Sequence, residues 1–319
     1  LEKFGNLKRA SIIYNPVARG LSRHRHLLQR SIQSLKNQGI EARLIPTEAP
    51  GTAGFQARQE VESGVDLILA AGGDGTINEV ASGMLHSRVP MAILPGGTAN
   101  VLAREMRLPI NLDRVAQQIS EFQPHPVSVG RVSSLDVEPR AFLCMAGVGL
   151  DAEIVSRVNP NLKVRTGKFA YYVSGFSNFF DPLQEFDVTV DSETYPASFA
   201  LISRVRNYGG DLEIARTASL IRDDFEVVLF RGTDRVRFIP YLVGVAIRQV
   251  HRLQGVTILH GRSIECSMPD GETVFTQVDG ELIGHLPVSI DLLPGALTML
   301  LPPAYVAREQ RYADVPVFA

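Results

Sequence analysis

Cysteine is scarce in this chain of 319 residues: only Cys144 and Cys266 are present, each in an apolar run far from the other, so CxxC redox pairs and zinc-type spacing are excluded. A reducing, cytoplasmic setting is the simplest expectation. The seven histidines are scattered, and the closest pair, His24 and His26, would project from different faces of a helix. No apolar run reaches the ~18 to 20 residues a membrane span needs. The opening LEKFGNLKRA lacks the apolar core of a signal peptide, and the chain begins at Leu1 instead of Met, as a trimmed chain would. Excess charge is also missing: 32 basic and 34 acidic side chains give a formal net charge of −2, which argues against a general nucleic-acid binder.

What is present fits a folded globular protein: 45% hydrophobic and 21% charged residues, 27 glycines and 19 prolines, with no repeat or low-complexity tract. The length predicts two domains of roughly 100 to 200 residues each. Through the first 120 residues strand-like runs (9 to 15, 41 to 46, 65 to 71, 90 to 94) alternate with helical patterns near 22 to 37, 53 to 63, 77 to 85 and from Thr98. Such alternation predicts βαβ units around a buried parallel sheet. A proline-rich break, FQPHPVSVG, then opens a region of short strands at 127–133, 140–146, 186–191, 197–204, 225–231, 256–260, 263–267, 273–278 and 287–292, with helical insertions near 150–158, 167–180 and 234–250. That pattern predicts an antiparallel sandwich or barrel. The expected domains are 1–126 and 127–296, with 297–319 a candidate to return to the first as a strand and tail.

The most informative stretch is Ala70 to Val80, AAGGDGTINEV, where a buried strand runs into Gly72, Gly73, Asp74, Gly75 and Thr76 and then into a helix. Glycines permit close approach of a polyphosphate and let successive N–H groups turn inward, and the following helix N-terminus adds partial positive charge. Asp74 cannot attract phosphate by charge, so its chemistry runs through a metal ion or a hydroxyl proton. The plainer alternative is a tight turn with Asp74 or Thr76 as an N-cap. A second loop, Leu94 to Asn100, LPGGTAN, follows the next strand. Thr98 is weighted toward a phosphate, whereas Asn100 fits a cap and a ligand equally. Neither loop is GxxxxGK[ST], which disfavours a Walker-type NTPase. Gly147-Val-Gly149-Leu-Asp151-Ala152 matches GxGxxA, but the acid expected about 20 residues on is missing from the helical KFAYYVSGFSNFF, so these glycines are taken as a close-packing turn. In QVDGELIGHLP, Asp279-Gly280 resembles a hairpin turn that Glu281 either decorates or uses, and Asp223-Asp224 is either a solvated turn or a site.

Taken together, YNPVARG, Thr47, GGDGTINEV, LPGGTAN, AGVGLDA and VDGE make the chain resemble the bacterial diacylglycerol kinase-like lipid kinases, which share a catalytic domain with eukaryotic diacylglycerol, sphingosine and ceramide kinases. The resemblance covers nearly the whole chain. It implies an N-terminal three-layer α/β nucleotide domain of NAD kinase/phosphofructokinase-like type and a C-terminal β-sandwich, with ATP and Mg²⁺ in the cleft between them. It further implies ATP contacts from Asn15, Thr47, Gly72, Gly73, Asp74, Gly75, Thr76, Asn78, Glu79, Gly97 and Thr98. Glu281 would be the base taking the lipid hydroxyl proton, and Asp74 would sit at the phosphates and metal. A further metal would use Asp223 with the carbonyls of Leu220 and Phe225. Three departures stand out: Ala18 and Arg19 replace the Ser-Gly of the usual NPxSG, Val101 replaces the Asp of GTxND, and Asp224 replaces a glycine beside the metal aspartate.

The implied partner is a lipid at the membrane surface, with no nucleic acid and a homodimer left open, in a cytoplasmic protein peripheral at the inner face of the membrane. The apolar segment Arg235 to Arg248 fits either a helix in the bilayer interface or one packed on the sandwich. Competing functions are an NAD kinase, which shares GGDGT, and an inactive nucleotide or lipid sensor on the same fold.

Overall fold

In the computed structural model, residues 7–18, 20–21, 25–134, 137–150, 152, 183–209, 212–233, 238–268 and 273–313 are described. The chain divides into two compact units: Leu1–Val129 with Ser219–Ile221 and Pro294–Ala319, and Gly130–Ala218 with Arg222–Leu293.

The first unit begins β1 (Arg9–Tyr14), α1 (Arg25–Asn37), β2 (Glu41–Pro46), α2 (Ala53–Glu62), β3 (Leu67–Gly72), α3 (Asp74–Gly83) and β4 (Met91–Pro95). It continues with α4 (Val101–Glu105), α5 (Leu112–Ala116) and β5 (Gln123–Ser134), the last running on into the second unit. Strands β2, β1, β3 and β4 lie in that order, all parallel. Every residue of β3 and β4 is buried, the mark of a sheet covered on both faces. Helices α2 and α3 pack together, as do α1 and α5, and right-handed crossovers place α1 on the face opposite α2 and α3. Between α2 and α3 the backbones nearly touch at Gly54 and Gly83.

The second unit contributes β6 (Arg140–Phe142), β7 (Met145–Gly149), β8 (Phe186–Val190), β9 (Glu193–Ala197), β10 (Phe199–Ser203), β11 (Asn207–Tyr208), β12 (Leu212–Glu213) and β13 (Phe225–Phe230). After α6 (Phe238–Ala246) come β14 (Val256–Gly261), β15 (Ser263–Ser267), β16 (Phe275–Val278), β17 (Glu281–His285) and the first part of β18 (Val288–Leu301). One antiparallel sheet runs β14-β13-β10-β7-β16-β17, and the other places β15 between β18 and β8, with β9 beyond. Phe142, Phe186, Phe225, Ile264 and Cys266 fill the core between them, making a β-sandwich. Both cysteines are buried and neither is in a disulfide, and burial pushes the Cys266 thiol up to about 12. At its far end β18 belongs to the first unit, where Met299 pairs in parallel with Met91 of β4, and α7 (Pro303–Ala313) follows.

Several elements differ from the sequence expectation. Helix α3 starts at Asp74 instead of Ile77, because extended Gly73 (φ −85°, ψ 177°) leads the strand end directly into it. Helix α4 starts only at Val101, because Asn100 is left-handed (φ 50°, ψ 51°). Gly147 and Gly149 lie within β7, not in a turn after it, and Gly149 abuts the Ser198 carbonyl. The expected tail is the helix α7. The helices expected at 150–158 and 167–180 fall, apart from Leu150 and Ala152, outside the described residues, as do Arg19, Asp151 and Arg235.

Candidate active site

Three loops leave the carboxyl ends of β1, β3 and β4, and backbone hydrogen bonds join them. The Asn15 N–H donates to the Ala71 carbonyl (3.2 Å), Gly96 N–H to Gly72 (2.8 Å), and Gly20 N–H to Gly96 (3.1 Å). The two glycine loops then meet at Gly73 and Gly97, whose α-carbons leave no room for a side chain on Gly97: a Cβ there would lie under 3.0 Å from Gly73. This is the ligand edge of a parallel sheet.

No side chain caps α3, so its first N–H groups, from the Gly73–Asp74–Gly75–Thr76 run, are oriented past the strand end as anion donors. Asn15 reaches the Thr76 hydroxyl oxygen with its amide at 3.5 Å, and its own carbonyl oxygen accepts from the Val17 N–H at 3.0 Å. Thr98 is exposed on the second loop. Asn100 stands at the N-cap position of α4, but its side chain does not cap the helix: its amide accepts from the Gly97 N–H (2.9 Å) and donates to the Gly97 carbonyl (3.0 Å), which locks that loop.

Asp74 occupies the first turn of α3, yet its carboxylate accepts the Val101 N–H at 2.7 Å and so caps α4. Burial raises its pKa above the ordinary aspartate value, against the lowering effect of N–H groups from Val101 and Leu102. A desolvated carboxylate of this kind gains from an added cation, and the uncapped helix end beside it gains from an added anion. The residues therefore fit a metal-bound polyphosphate.

Glu79, expected at the nucleotide, has a structural part. Its carboxylate oxygens accept from Gly51 N–H (3.1 Å) and Ala53 N–H (3.2 Å), fastening the loop that carries Thr47 onto α3. Thr47 is held in turn by its N–H to the Tyr14 carbonyl (2.9 Å). Asn78 is buried in the body of α3. Beneath the site, the side chains of Glu105 and Glu309 are each 1% exposed and share Arg308, which bonds Glu309 at 2.7 Å and Glu105 at 3.2 Å. This anchor between α4 and α7 is invisible in the sequence. A cavity of about 1030 Å³ opens at the opposite ends of the strands, beside Arg9, Glu41, Asp66 and Arg88, away from all three loops.

In the second unit, Asp279 (φ 48°) and Gly280 (φ 85°) form the tight turn between β16 and β17. The Asp279 carboxylate accepts N–H groups from Leu143 (3.1 Å), Cys144 (3.1 Å) and Met145 (2.9 Å), which bolts the turn to the start of β7. Sequence reasoning missed this role, although the Asp-Gly pair signalled the turn. Glu281 follows as the first residue of β17, 55% exposed at its side chain and paired with Arg140 at 2.6 Å.

The surroundings of Asp223 do not favour the second cation. Asp223 is exposed and its carbonyl accepts from Arg262 (2.7 Å). Fully buried Arg204 bonds the carbonyls of Arg222 (2.7 Å) and Asp224, and Arg222 pairs with the Asp224 carboxylate (2.8 Å). Burial alone would raise the Asp224 pKa, but hydrogen bonds from Arg222 and His260 outweigh it and hold the carboxyl well below the usual range. Arg204 and Arg262 thus occupy carbonyl oxygens of this turn, and the Arg222 charge is balanced by Asp224. Phe225 is a buried strand residue, and the Leu220 N–H is held by the Tyr305 hydroxyl (3.1 Å). Among the described residues no three His, Cys, Asp or Glu side chains converge on a metal position.

Residues 9–132 match the diacylglycerol kinase catalytic domain, and residues 144–301 match the YegS C-terminal NAD kinase beta sandwich-like domain. A diacylglycerol kinase of Bacillus subtilis (strain 168) is 28% identical over 288 residues, covering 88% of this chain and 92% of the relative. One from Staphylococcus carnosus (strain TM300) is 25% identical, over 88% and 91%. A crystal structure of a diacylglycerol kinase from Bacillus anthracis str. Sterne superposes with a TM-score of 0.75 at 26% identity, over 93% of this chain and 98% of that one. With both domain types matched in order and the same fold throughout, the chain belongs to the bacterial diacylglycerol kinase-like family.

Proposed function

We propose that this protein is an ATP-dependent lipid kinase that transfers the γ-phosphoryl group to a hydroxyl of diacylglycerol or a related lipid at the inner face of the membrane. The observation that carries this reading is the close-packed pair of glycine loops with the half-buried Asp74 carboxylate between two helix N-termini. Family membership supports a kinase-type enzyme.

Phosphoryl transfer requires positioning and charge neutralisation more than covalent chemistry. The N–H groups at the start of α3 and the hydroxyls of Thr76 and Thr98 bind phosphate oxygens. Asn15 and Thr47 flank the same edge, while Glu79 and Asn100 keep the loops in shape. Asp74 would hold Mg²⁺, which supplies neutralisation of the charge developing on the β- and γ-phosphate oxygens. Glu281 takes the proton of the lipid hydroxyl as its oxygen bonds to the γ-phosphorus. The bond from that phosphorus to the β-γ bridging oxygen breaks, leaving ADP and a phosphorylated lipid. Arg140 orients Glu281 through its ion pair.

The test is γ-phosphate label transfer with Mg²⁺ to diacylglycerol, monoacylglycerol, sphingosine and ceramide in mixed micelles, with NAD offered in parallel. Label in a lipid, lost in Glu281→Ala while nucleotide binding persists, is the expected result. Label in NAD alone would overturn the lipid reading, and ATP binding without transfer to any acceptor would mark a sensor.

A further inference from the structure

Helix α6 has two unlike faces. Tyr241 and Val245 are buried, the Tyr241 hydroxyl donates to the carbonyls of Arg231 (3.0 Å) and Gln254 (3.2 Å), and Gly244 packs against Leu253. On the other side Val243 is 53% and Ile247 62% exposed. They are spaced i, i+4, and the Ile247 N–H donates to the Val243 carbonyl (2.9 Å), so both side chains share one outward face. Of the large exposed hydrophobic residues among those described, these alone form a pair one helical turn apart.

Exposed arginines stand in the segments that follow α6 or pack against it, one of them, Arg216, also 3.4 Å from the Glu213 carboxylate. Arg248 ends the helical segment and is exposed, as are Arg252 and Arg216, and the Arg216 guanidinium lies 3.1 Å from a ring nitrogen of His251. Burial first, and then the charges of Arg216 and Arg252, lower the His251 pKa, while the acidic Glu213 opposes them. A protein partner chosen for apolar contact alone gives no reason for these arginines. An anionic bilayer supplies both an apolar layer for the aliphatic pair and headgroup charge for the arginines.

We propose that the outer face of α6 docks on anionic lipid bilayers, with Val243 and Ile247 entering the headgroup boundary and Arg216, Arg248 and Arg252 bonding lipid phosphates. The proposal rests on the lipid-kinase reading for its purpose, since the face would bring the enzyme to its substrate. Its test does not require catalysis.

The experiment is co-sedimentation of the full chain, without nucleotide, with vesicles of phosphatidylcholine or of equal phosphatidylcholine and phosphatidylglycerol. Three arginines predict affinity roughly a hundredfold higher for the anionic vesicles. Val243→Gln/Ile247→Gln and Arg216→Gln/Arg248→Gln/Arg252→Gln should each weaken that binding at least about tenfold. Both variants replace exposed side chains, and an unchanged melting temperature confirms their folding. In parallel, label transfer to a short-chain, monomeric diacylglycerol reports the kinase reading by itself and should be unaffected in both variants. Equal binding to both vesicle types, or variants that bind like the parent, would overturn the docking face even if transfer proceeds. So would a dimer in light scattering that Val243→Gln/Ile247→Gln converts to monomer without altering vesicle binding.

Discussion

Replacing Gly97 by alanine should damage the nucleotide site far more than the same replacement at Gly73, although the two residues face each other. A Cβ on Gly97 would fall under 3.0 Å from the Gly73 backbone, whereas one on Gly73 would meet the Gly97 α-carbon at 3.4 Å. Relaxed carbon contacts lie near ~3.5 to 4.0 Å. Gly73→Ala therefore needs a few tenths of an ångström, and Gly97→Ala needs the two loops to part by about 1 Å. Overpacking of this kind costs about 1 to 3 kcal/mol, and a misplacement of about 1 Å at a reacting group can reduce turnover on the order of a hundredfold. The parting also pulls Gly97 from the Asn100 amide that locks its loop. Calorimetric titration with Mg²⁺ and a non-hydrolysable ATP analogue, with initial rates of lipid phosphorylation, would measure both effects. Gly97→Ala should lose at least about tenfold in affinity and more in rate, and Gly73→Ala should stay within a few-fold of the parent. Equal losses in the two variants, or normal binding by Gly97→Ala, would refute the close-packed-loop argument.

Asp74→Asn should uncouple stability from activity. An acid whose folded pKa is raised above its unfolded value costs stability when ionised, and the fold gains as pH falls through the folded pKa. At neutral pH the asparagine variant, whose amide oxygen can still accept the Val101 N–H, should melt no lower than the parent by calorimetry while label transfer falls at least about a hundredfold. Arg308→Met leaves the buried carboxylates of Glu105 and Glu309 without their cation and should cost about 3 to 5 kcal/mol in urea unfolding of the first unit; a loss below about 1 kcal/mol would contradict that account. Asp224 has the opposite sign to Asp74: its depressed pKa contributes stability that is full above the unfolded value and lost as pH falls through the folded one. Acid titration of thermal stability should therefore show a drop below about pH 5 that Asp224→Asn flattens.

The parallel core was legible because strands buried on both faces leave continuous apolar runs, and LILAAG and MAILP are such runs. The glycine loops were legible for the opposite reason, since few other constraints put so many glycines at a strand end. Strands β9 and β17 were missed because both lie at sheet edges, are largely solvent-facing, and carry Pro196 and Gly284, which weaken any alternating pattern. The structural part of Glu79 and Asp279 was hidden because both carboxylates serve backbone N–H groups 26 or more residues away in sequence. Arg308 and Glu105 are 203 residues apart, a separation at which no local pattern signals a pair.

The return of β18 to β4 also sets a timetable for synthesis. Met91 has left the ribosome long before Met299, its partner across the ladder, has been made. At about 5 to 20 residues per second, the β4 edge waits on the order of ten seconds or more for its neighbour. Until then the β4 segment lacks the neighbour that covers its edge, and an unpaired apolar edge is the arrangement most prone to mispairing. Full-length chains released quickly, or held by a chaperone until α7 emerges, should aggregate less than truncations ending before Pro294, which would carry that edge permanently.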